Sequence, residues 1–443
     1  MDTFQTAATM KTRKYLSASG LFKLVHSGLE NIKDIRADNQ KVSLADALMS
    51  AFAIFSLKDA SLLAFDERRK RKDGNLQRLY GIKTIPCDTQ MRTIIDEVDP
   101  EEIRPLYKNV FRQLQRGKVM EKMVFMEGSY LLSLDGTGYF SSNEVHCPSC
   151  LEKKNSKTGE IRYAHQLLGG VIVHPDYAEV VPFAPEAIIK QDGETKNDCE
   201  RNAAKRFLEK VHQDHPHLPL IVVEDGLSSN APHISELQKH GFHYILGVKE
   251  GDHKFLFEHV AKAHEAGLTT AFECESEETI HRFRFINQAP LNESNPDQLI
   301  NFVEYWEIKP DKTQHFSWVT DFTVTTANVF QIMRGGRARW KIENETFNTL
   351  KNQSYYFEHN FGHGAKNLSV VFAMLMMLAF LVDQTQQLAC DLFQATLKKE
   401  GSRIRFWEHL RALFYTLEFT CMEDMYRALL YGFRARAVIL SPP

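Results

Sequence analysis

The sequence lacks the motifs of several common enzyme classes. It contains no phosphate-binding loop of the form Gly-x-x-x-x-Gly-Lys-Ser/Thr, so dependence on ATP is not indicated. It contains no Gly-x-Ser-x-Gly turn, which argues against a serine hydrolase. The seven cysteines form no repeating framework, and the N-terminus has no signal-peptide pattern, so a reducing cytoplasm is expected.

Long hydrophobic runs and a strong net charge are also absent. The longest apolar run, residues 370–382, has 13 residues. A bilayer needs roughly 20, so this run predicts a buried helix and no membrane partner. The formal net charge of −3 excludes a polycation, so any contact with DNA must come from local basic patches. The 443 residues, 43% hydrophobic and 25% charged, are typical of a soluble globular protein with two or three domains.

The first part of the chain, residues 1–125, shows apolar residues at helical spacing. One helix is predicted to begin after Ser43, which is a suitable N-cap. A basic cluster at residues 68–72 and two short helices around Gly81 are compatible with a helix-turn-helix. A solvated loop is the alternative interpretation of the basic cluster. Residues 1–125 are therefore predicted to form a helical DNA-binding region.

The remaining chain divides into four regions by its hydrophobic pattern. Residues 126–249 begin with strands and continue with alternating helices and strands, which predicts an α/β fold with a mixed sheet flanked by helices. Within them, the wholly apolar run 218–223 predicts a buried central strand. Residues 250–326 are predicted to be a β-rich insertion. Residues 327–365 are predicted to return to a long helix, and residues 366–443 to form a C-terminal helical region.

Three acidic residues are the candidate catalytic groups. Asp135 and Asp225 each follow an apolar, strand-like run, where a short side chain projects past the edge of a sheet. Glu343 lies in the predicted helix, four residues after Arg339. Two Mg²⁺ ions that act on a phosphodiester need carboxylate ligands, and a divalent cation removes the repulsion between clustered acids. Taken singly, each Asp-Gly pair is also typical of a turn, and Glu343 of an exposed helical acid.

Three short blocks resemble those of DDE transposases from bacterial insertion sequences. The blocks are Leu-Asp-Gly-Thr at 134–137, Val-Glu-Asp-Gly at 223–226 and Arg-Trp-Lys-Ile-Glu at 339–343. The order of elements agrees with that family over residues 128–355. The resemblance is closest to the group with an RNase H-like core and a β-strand insertion between the second aspartate and the glutamate. It implies that the mixed sheet is RNase H-like and is interrupted by the β-rich insertion.

The resemblance also implies a reaction and its partners. Asp135, Asp225 and Glu343 would hold Mg²⁺, for which Mn²⁺ can substitute. The enzyme would cut transposon ends and join the freed 3′-hydroxyl to target DNA. The implied partners are inverted-repeat ends, target DNA and a second copy of the chain bound to DNA. The implied location is the bacterial cytoplasm, at the nucleoid.

The family motif on the last helix matches this chain only in part. Arg339 and Glu343 match its arginine and glutamate, whereas Gly336 and Leu350 stand in place of its tyrosine and lysine. Arg337 and Lys351 are predicted to substitute for them. For Arg339, an ion pair with Glu343 is the alternative interpretation. The residues predicted to contact DNA are Arg337, Arg339, Lys341, Lys351, Trp306 and Trp318.

Two further interpretations stay open at this stage. Trp306 and Trp318 lie in the predicted insertion, where relatives stack a flipped base on a tryptophan, but a tryptophan in a small β domain is also typical of the core. Cys147 and Cys150 form one Cys-x-x-Cys, which His165 and Cys199 would have to complete as a structural Zn²⁺ site. A turn with two reduced thiols is the alternative.

Two functions other than transposition also remain open from the sequence. One is a catalytically degenerate relative that binds DNA without cutting it, which the missing tyrosine and lysine would favour. The other is a metal-dependent nuclease of the same fold that cuts but does not join.

Overall fold

The computed structural model describes residues 13–36, 40–71, 74–190 and 198–432. The chain folds into two compact units. The helical unit comprises Met1–Val119, Val145–Pro148 and Thr349–Pro443. The sheet unit comprises Met120–Glu144 and Ser149–Asn348. Position 72 of the basic cluster lies outside the described residues.

The helices of the described residues follow one another in chain order. They are α1 (Ala18–Glu30), α2 (Leu44–Leu57), α3 (Leu62–Lys70), α4 (Gly74–Tyr80), α5 (Asp88–Ile95), α6 (Arg104–Arg116), α7 (Glu200–Asp214), α8 (Ala231–Lys239), α9 (Lys254–Glu265), α10 (Val329–Ala338), α11 (Asn348–Asn352), α12 (Leu368–Ala389), α13 (Asp391–Glu400), α14 (Arg403–Thr416) and α15 (Met422–Tyr431). Short 3₁₀ turns occur at Pro100–Glu102 and Met120–Met123.

The helical unit is built around α12, which is buried along almost its whole length. This helix is long and apolar enough to cross a membrane, but its most apolar window is 100% buried inside the protein. The prediction of a buried helix from residues 370–382 is thus confirmed. Helix α2 packs against α12 and is itself almost entirely buried. It begins at the predicted N-cap, where the Ser43 hydroxyl accepts a hydrogen bond from the amide of Asp46 at 3.0 Å.

The basic cluster is not the solvated loop that was its alternative interpretation. Its first residues form the last turn of α3, where cations interact favourably with the helix carbonyls. Arg68 is 1% exposed and donates to Asp59 at 2.8 Å, while Arg69 donates to the helical Asp66 at 2.7 Å. Arg68, Arg69 and Lys70 are therefore paired with aspartates within the helical unit. DNA binding by residues 1–125 stays a prediction.

The sheet unit contains one mixed sheet of 12 strands. The strands are β1 (Val124–Met126), β2 (Ser129–Ser142), β3 (Leu151–Lys154), β4 (Ile161–His174), β5 (Tyr177–Pro182), β6 (Glu186–Ile188), β7 (Leu220–Glu224), β8 (His243–Gly247), β9 (Thr270–Ser276), β10 (Thr279–Asn292), β11 (Asn295–Ile308) and β12 (Thr313–Thr320). The main path runs β3-β4-β2-β7-β8-β12-β11-β10-β9. Strands β2, β7 and β8 are parallel at its centre, and the other pairs are antiparallel. The predicted central strand is confirmed, because β7 is buried throughout.

The strands of residues 250–326 extend this sheet. Strand β12 pairs with β8, with Trp318 opposite Gly247, and β11, β10 and β9 follow in antiparallel order. The β-rich character predicted for this segment is therefore present. Its strands form no separate sheet within the described residues, because the edge of β8 is hydrogen-bonded to β12.

Candidate active site

Asp135 lies inside a strand, and not at the end of one as its Asp-Gly pair suggested. Strand β2 continues to Ser142, and Asp135 pairs with Gly169 of β4. On the opposite side, the parallel partner β7 ends at Glu224, so β2 extends past it. The pairing of β2 with β7 therefore ends before Asp135, and the strand edge at Asp135 that faces β7 is not hydrogen-bonded to it. The turn expected from the sequence does not form at this aspartate.

Asp225 reaches the same open edge from the neighbouring strand. Ser133 pairs with Val223 in the parallel register, so Asp135 and Asp225, each two residues further on, occupy equivalent positions along the two chains. Side chains two residues apart in a strand share one face. Asp225 also begins a turn, since its Oδ1 accepts from the amide of Leu227 at 3.0 Å. The two aspartates are therefore neighbours at the carboxyl end of β7, where ligands collect in α/β sheets.

Glu343 reaches this region on a π-helical turn. The predicted long helix is interrupted, because α10 ends at Ala338 and Ile342–Phe347 form a π-helix. Ile342 and Phe347, five residues apart, both contact Gly169, and a Cβ on that glycine would lie 2.9 Å from the Phe347 ring. The π turn is thus seated on the residue paired with Asp135.

A hydrogen bond fixes the start of this turn against β2. The Ser133 hydroxyl donates to the carbonyl of Arg339 at 2.9 Å. Ser133 shares its strand face with Asp135. π turns of this kind often occur at functional sites. The segment that carries Glu343 is therefore anchored to the strand that carries Asp135.

The charges of these acids act on one another. Burial raises the pKa of Asp135 to about 7, and the neighbouring Glu343 carboxylate is the second cause, partly offset by Arg339. The Arg339 guanidinium lies 2.9 Å from Glu343 Oε1 and 4.0 Å from Asp135 Oδ2. The alternative interpretation of Arg339 as an i, i+4 partner of Glu343 is confirmed. The structure thus places Asp135 beside Asp225 through the strand register and a shared cavity, and beside Glu343 with Arg339 between the two carboxylates.

Glu200, which the sequence did not single out, joins this group. It is the first residue of α7 and lines a cavity of about 790 Å³ together with Asp135 and Asp225. Partial burial of its carboxylate, followed by the charges of Asp225 and Glu224, raises its pKa. A glutamate in the first turn is the ordinary choice at a helix N-terminus, so the sequence carried no signal for this position.

A buried pair supports the end of β7. Glu224 is 6% exposed, and its Oε2 lies 2.5 Å from Nε2 of His233. Its other oxygen accepts from the Ser228 hydroxyl at 3.1 Å. Burial opposes the charged imidazole, but the Glu224 carboxylate outweighs it and raises the pKa of His233. This pair holds the strand end from which Asp225 projects.

The predicted basic residues are found at two different places. Arg337 and Lys341 line a second cavity of about 310 Å³ in the sheet unit, together with Arg334. Arg337 lies 3.0 Å from Glu307, and Lys341 donates to the carbonyl of Tyr177 at 2.6 Å. Lys351 lies in the helical unit, where its ammonium group is 3.0 Å from Glu358. The first two thus form one basic cavity, which Lys351 does not line.

The two tryptophans occupy different environments. Trp318 is 5% exposed, and its indole fills the space beside Gly336, where a Cβ would collide with it. Trp318 is therefore a core residue, and its indole occupies the space that a side chain at position 336 would need. Trp306 is half-buried and stacks on His315, with ring centroids 5.0 Å apart. Only Trp306 of these two presents an accessible ring.

This packing predicts the outcome of placing a tyrosine at position 336. Gly336→Tyr is expected to destabilise the protein by about 1–3 kcal/mol, because the new side chain must displace the Trp318 indole. Thermal unfolding measures the change. Gly251→Tyr is the matched control, since a Cβ at Gly251 meets nothing within 4 Å. Equal melting temperatures for the two variants would contradict the packing described here.

The two cysteines predicted to bind zinc each have a histidine close to the thiol. In the sheet unit, Cys150 Sγ lies 3.4 Å from His165 Nε2, and both residues are buried. In the helical unit, Cys147 is buried, and its Sγ lies within 4.8 Å of a ring nitrogen of His363. Cys199 is exposed and lines the acidic cavity, so its proposed place beside His165 is not supported. Zinc binding through Cys147 and Cys150 stays a prediction.

The sequence was compared with known proteins. No protein-family model matches the chain, and no curated protein is significantly similar to it. The assignment of a function therefore depends on the residues and on their geometry.

Proposed function

We propose that this protein is a DDE-type DNA transposase whose sheet unit is an RNase H-like core extended by the strands of residues 250–326. One observation carries the proposal. Asp135 within β2 and Asp225 just after β7 lie at equivalent positions of two adjacent parallel strands, and the π turn that bears Glu343 is anchored beside Asp135. Residues so far apart in sequence would not converge by local folding. Their convergence supports a shared chemical task.

The donor set fits Mg²⁺, for which Mn²⁺ would substitute. Asp135, Asp225 and Glu343 offer hard carboxylate oxygens, which both ions prefer. The raised pKa of Asp135 reflects burial and the repulsion by Glu343 that a divalent cation would relieve. When bound, two such ions would activate the attacking water or 3′-hydroxyl and stabilise the leaving oxygen.

Arg339 is proposed to bind the DNA phosphate next to the reacting bond. One guanidinium nitrogen contacts Glu343 at 2.9 Å, which orients the planar group at the sheet edge. The remaining donors of the guanidinium fork suit two oxygens of a phosphate. The same contact to Glu343 would hold that carboxylate toward Asp135. Arg339 is therefore assigned both a DNA contact and the positioning of Glu343.

Other basic residues are proposed to bind the DNA backbone. Arg334, Arg337 and Lys341 surround one cavity of the sheet unit and would contact the phosphate backbone. The accessible ring of Trp306 is available for stacking on a base. The proposed substrates are the inverted-repeat ends and the target DNA. Two ends must be cut together, so we propose a homodimer on DNA, in the bacterial cytoplasm at the nucleoid.

A cleavage and joining assay tests this function. Purified protein is incubated with Mg²⁺ and labelled DNA that carries the inverted repeats flanking the gene, with scrambled repeats as the control. Nicked ends and joined product are expected only with the true repeats. Cleavage without joined product would favour the nuclease of the same fold. Binding without cleavage would favour the degenerate relative.

The pKa of Asp135 predicts how metal binding depends on pH. Below its pKa of about 7 this carboxyl is protonated and cannot bind a cation, so affinity rises with pH up to about 7 and then levels off. We expect Mn²⁺ affinity to fall about tenfold per pH unit below 7, measured by calorimetric titration between pH 5.5 and 8. An aspartate with the ordinary pKa of 3.8 would leave the affinity constant over this range, which is the contradicting result.

A further inference from the structure

The acidic cavity contains one carboxylate more than the three in the proposed function. Glu200 begins α7 and lines the same cavity as Asp135 and Asp225. Its carboxylate is only partly buried, so solvent and ligands can reach it. Glu200 is separated from Asp135 by 64 residues of sequence. Only the tertiary structure brings it to the sheet edge.

The backbone of β2 leaves room for this carboxylate at one position. Gly136 follows Asp135 directly, and the Glu200 carboxylate occupies the space that a Cβ on Gly136 would fill. The backbone angle of Gly136 is not in the left-handed region, so no backbone strain requires a glycine here. Because Gly136 has no side chain, the Glu200 carboxylate can approach the backbone of the strand that carries Asp135.

Glu200 also lacks a cationic partner among the described residues. None of the ion pairs among the described residues around the cavity involves the Glu200 carboxylate. Glu236, which lines the same cavity, contrasts with it, because its carboxylate lies 3.0 Å from both Lys239 and His240. An acid placed toward other acids, without a basic partner, is unfavourable unless a cation balances the charge.

We propose that Glu200 is a fourth carboxylate ligand of the divalent cations at this site. The proposal rests on the proposed function, because the cations themselves are those of the transposase chemistry. A fourth acid adds one negative charge beside two doubly charged ions. It also adds an oxygen donor on the side of the cavity away from the π turn, since Glu200 lies against Gly136 and not against Gly169.

Metal binding, measured without DNA, tests this assignment. Mn²⁺ is titrated into the full chain at pH 8, and unbound Mn²⁺ is followed by electron paramagnetic resonance. Glu200→Gln is expected to weaken Mn²⁺ binding at least about tenfold, or to remove one bound ion, while Glu236→Gln stays within about twofold of the original protein. Equal binding by Glu200→Gln and the original protein overturns the proposal.

Asp225→Asn separates this inference from the proposed function. Loss of Mn²⁺ binding in Asp225→Asn with normal binding in Glu200→Gln overturns the fourth ligand and keeps the proposed site. Normal binding in Asp225→Asn overturns the proposed site, and the fourth ligand with it. Loss in both variants supports both.

Gly136→Ala gives a second, independent variant. The new methyl group displaces the Glu200 carboxylate without changing any charge, and circular dichroism verifies that the variant is folded. We expect Gly136→Ala to weaken Mn²⁺ binding as Glu200→Gln does. Adding Gly136→Ala to Glu200→Gln should then cause no further loss. Additive losses would overturn the role of Gly136 as the seat of this carboxylate.

Discussion

Replacing Asp225 with asparagine is expected to reduce strand cleavage at least about 10³-fold while DNA binding is kept. Asparagine has nearly the same shape as aspartate, so the turn at Leu227 can still form through its side-chain oxygen. It lacks the negative charge that a divalent cation needs. Cleavage is measured under single-turnover conditions with saturating DNA, and binding is measured separately by fluorescence anisotropy.

The control for this variant is an aspartate away from the acidic cavity. Asp311 is exposed, and the structure records no ion pair for it among the described residues. Asp311→Asn should therefore cleave within about twofold of the original protein, as expected for an exposed surface position. If Asp225→Asn cleaved as fast as Asp311→Asn, the carboxylate cluster would have no role in the reaction.

Replacing Asp383 with alanine is expected to lower the free energy of unfolding by about 3–5 kcal/mol. Lys58 Nζ lies 2.6 Å from Asp383 Oδ2, and the lysine side chain is fully buried. Its ammonium group also lies 4.0 Å from the ring centroids of Tyr355 and Trp407. Burial lowers the pKa of Lys58 to about 8 even with Asp383 present. Without its counter-ion, the lysine must either stay charged in an apolar site or release its proton.

A double substitution distinguishes the lost charge pair from lost packing. Lys58→Met combined with Asp383→Leu removes both charges and fills the site with apolar groups, so it should recover most of the stability. Urea denaturation followed by circular dichroism measures both variants. A double variant as unstable as Asp383→Ala would show that packing, and not the unpaired ammonium, causes the loss. The Tyr355 hydroxyl donates to Asp383, so it loses this acceptor in both variants.

Several features of the fold follow from residues close together in sequence. The apolar run 370–382 predicted a buried helix, Ser43 predicted a helix start, and the run 218–223 predicted a central strand. Each depends on local hydrophobic periodicity or on a hydrogen bond to a nearby amide. The structure agrees with all three.

Other features depended on partners that the sequence does not reveal. The Asp-Gly pair at Asp135 is typical of a turn, but antiparallel pairing with β4 keeps that residue within a strand. The segment around Glu343 forms a π turn, and its Ile342 and Phe347 side chains occupy the space beside Gly169. Trp318 is buried because Gly336 leaves room for its indole. In each case a long-range contact overrides the local pattern.

The sequence by itself determined which residue types were available for metal chemistry, namely Asp135, Asp225 and Glu343, and it determined the mixed α/β architecture. Both depend on composition and local pattern. Only the tertiary structure decided that Asp135 lies beside Glu343 and that Asp135, Asp225 and Glu200 line one cavity. It also decided that Lys58 pairs with Asp383, 325 residues away. These depend on strand register and helix packing, and no spacing along the chain encodes a distance between residues so far apart.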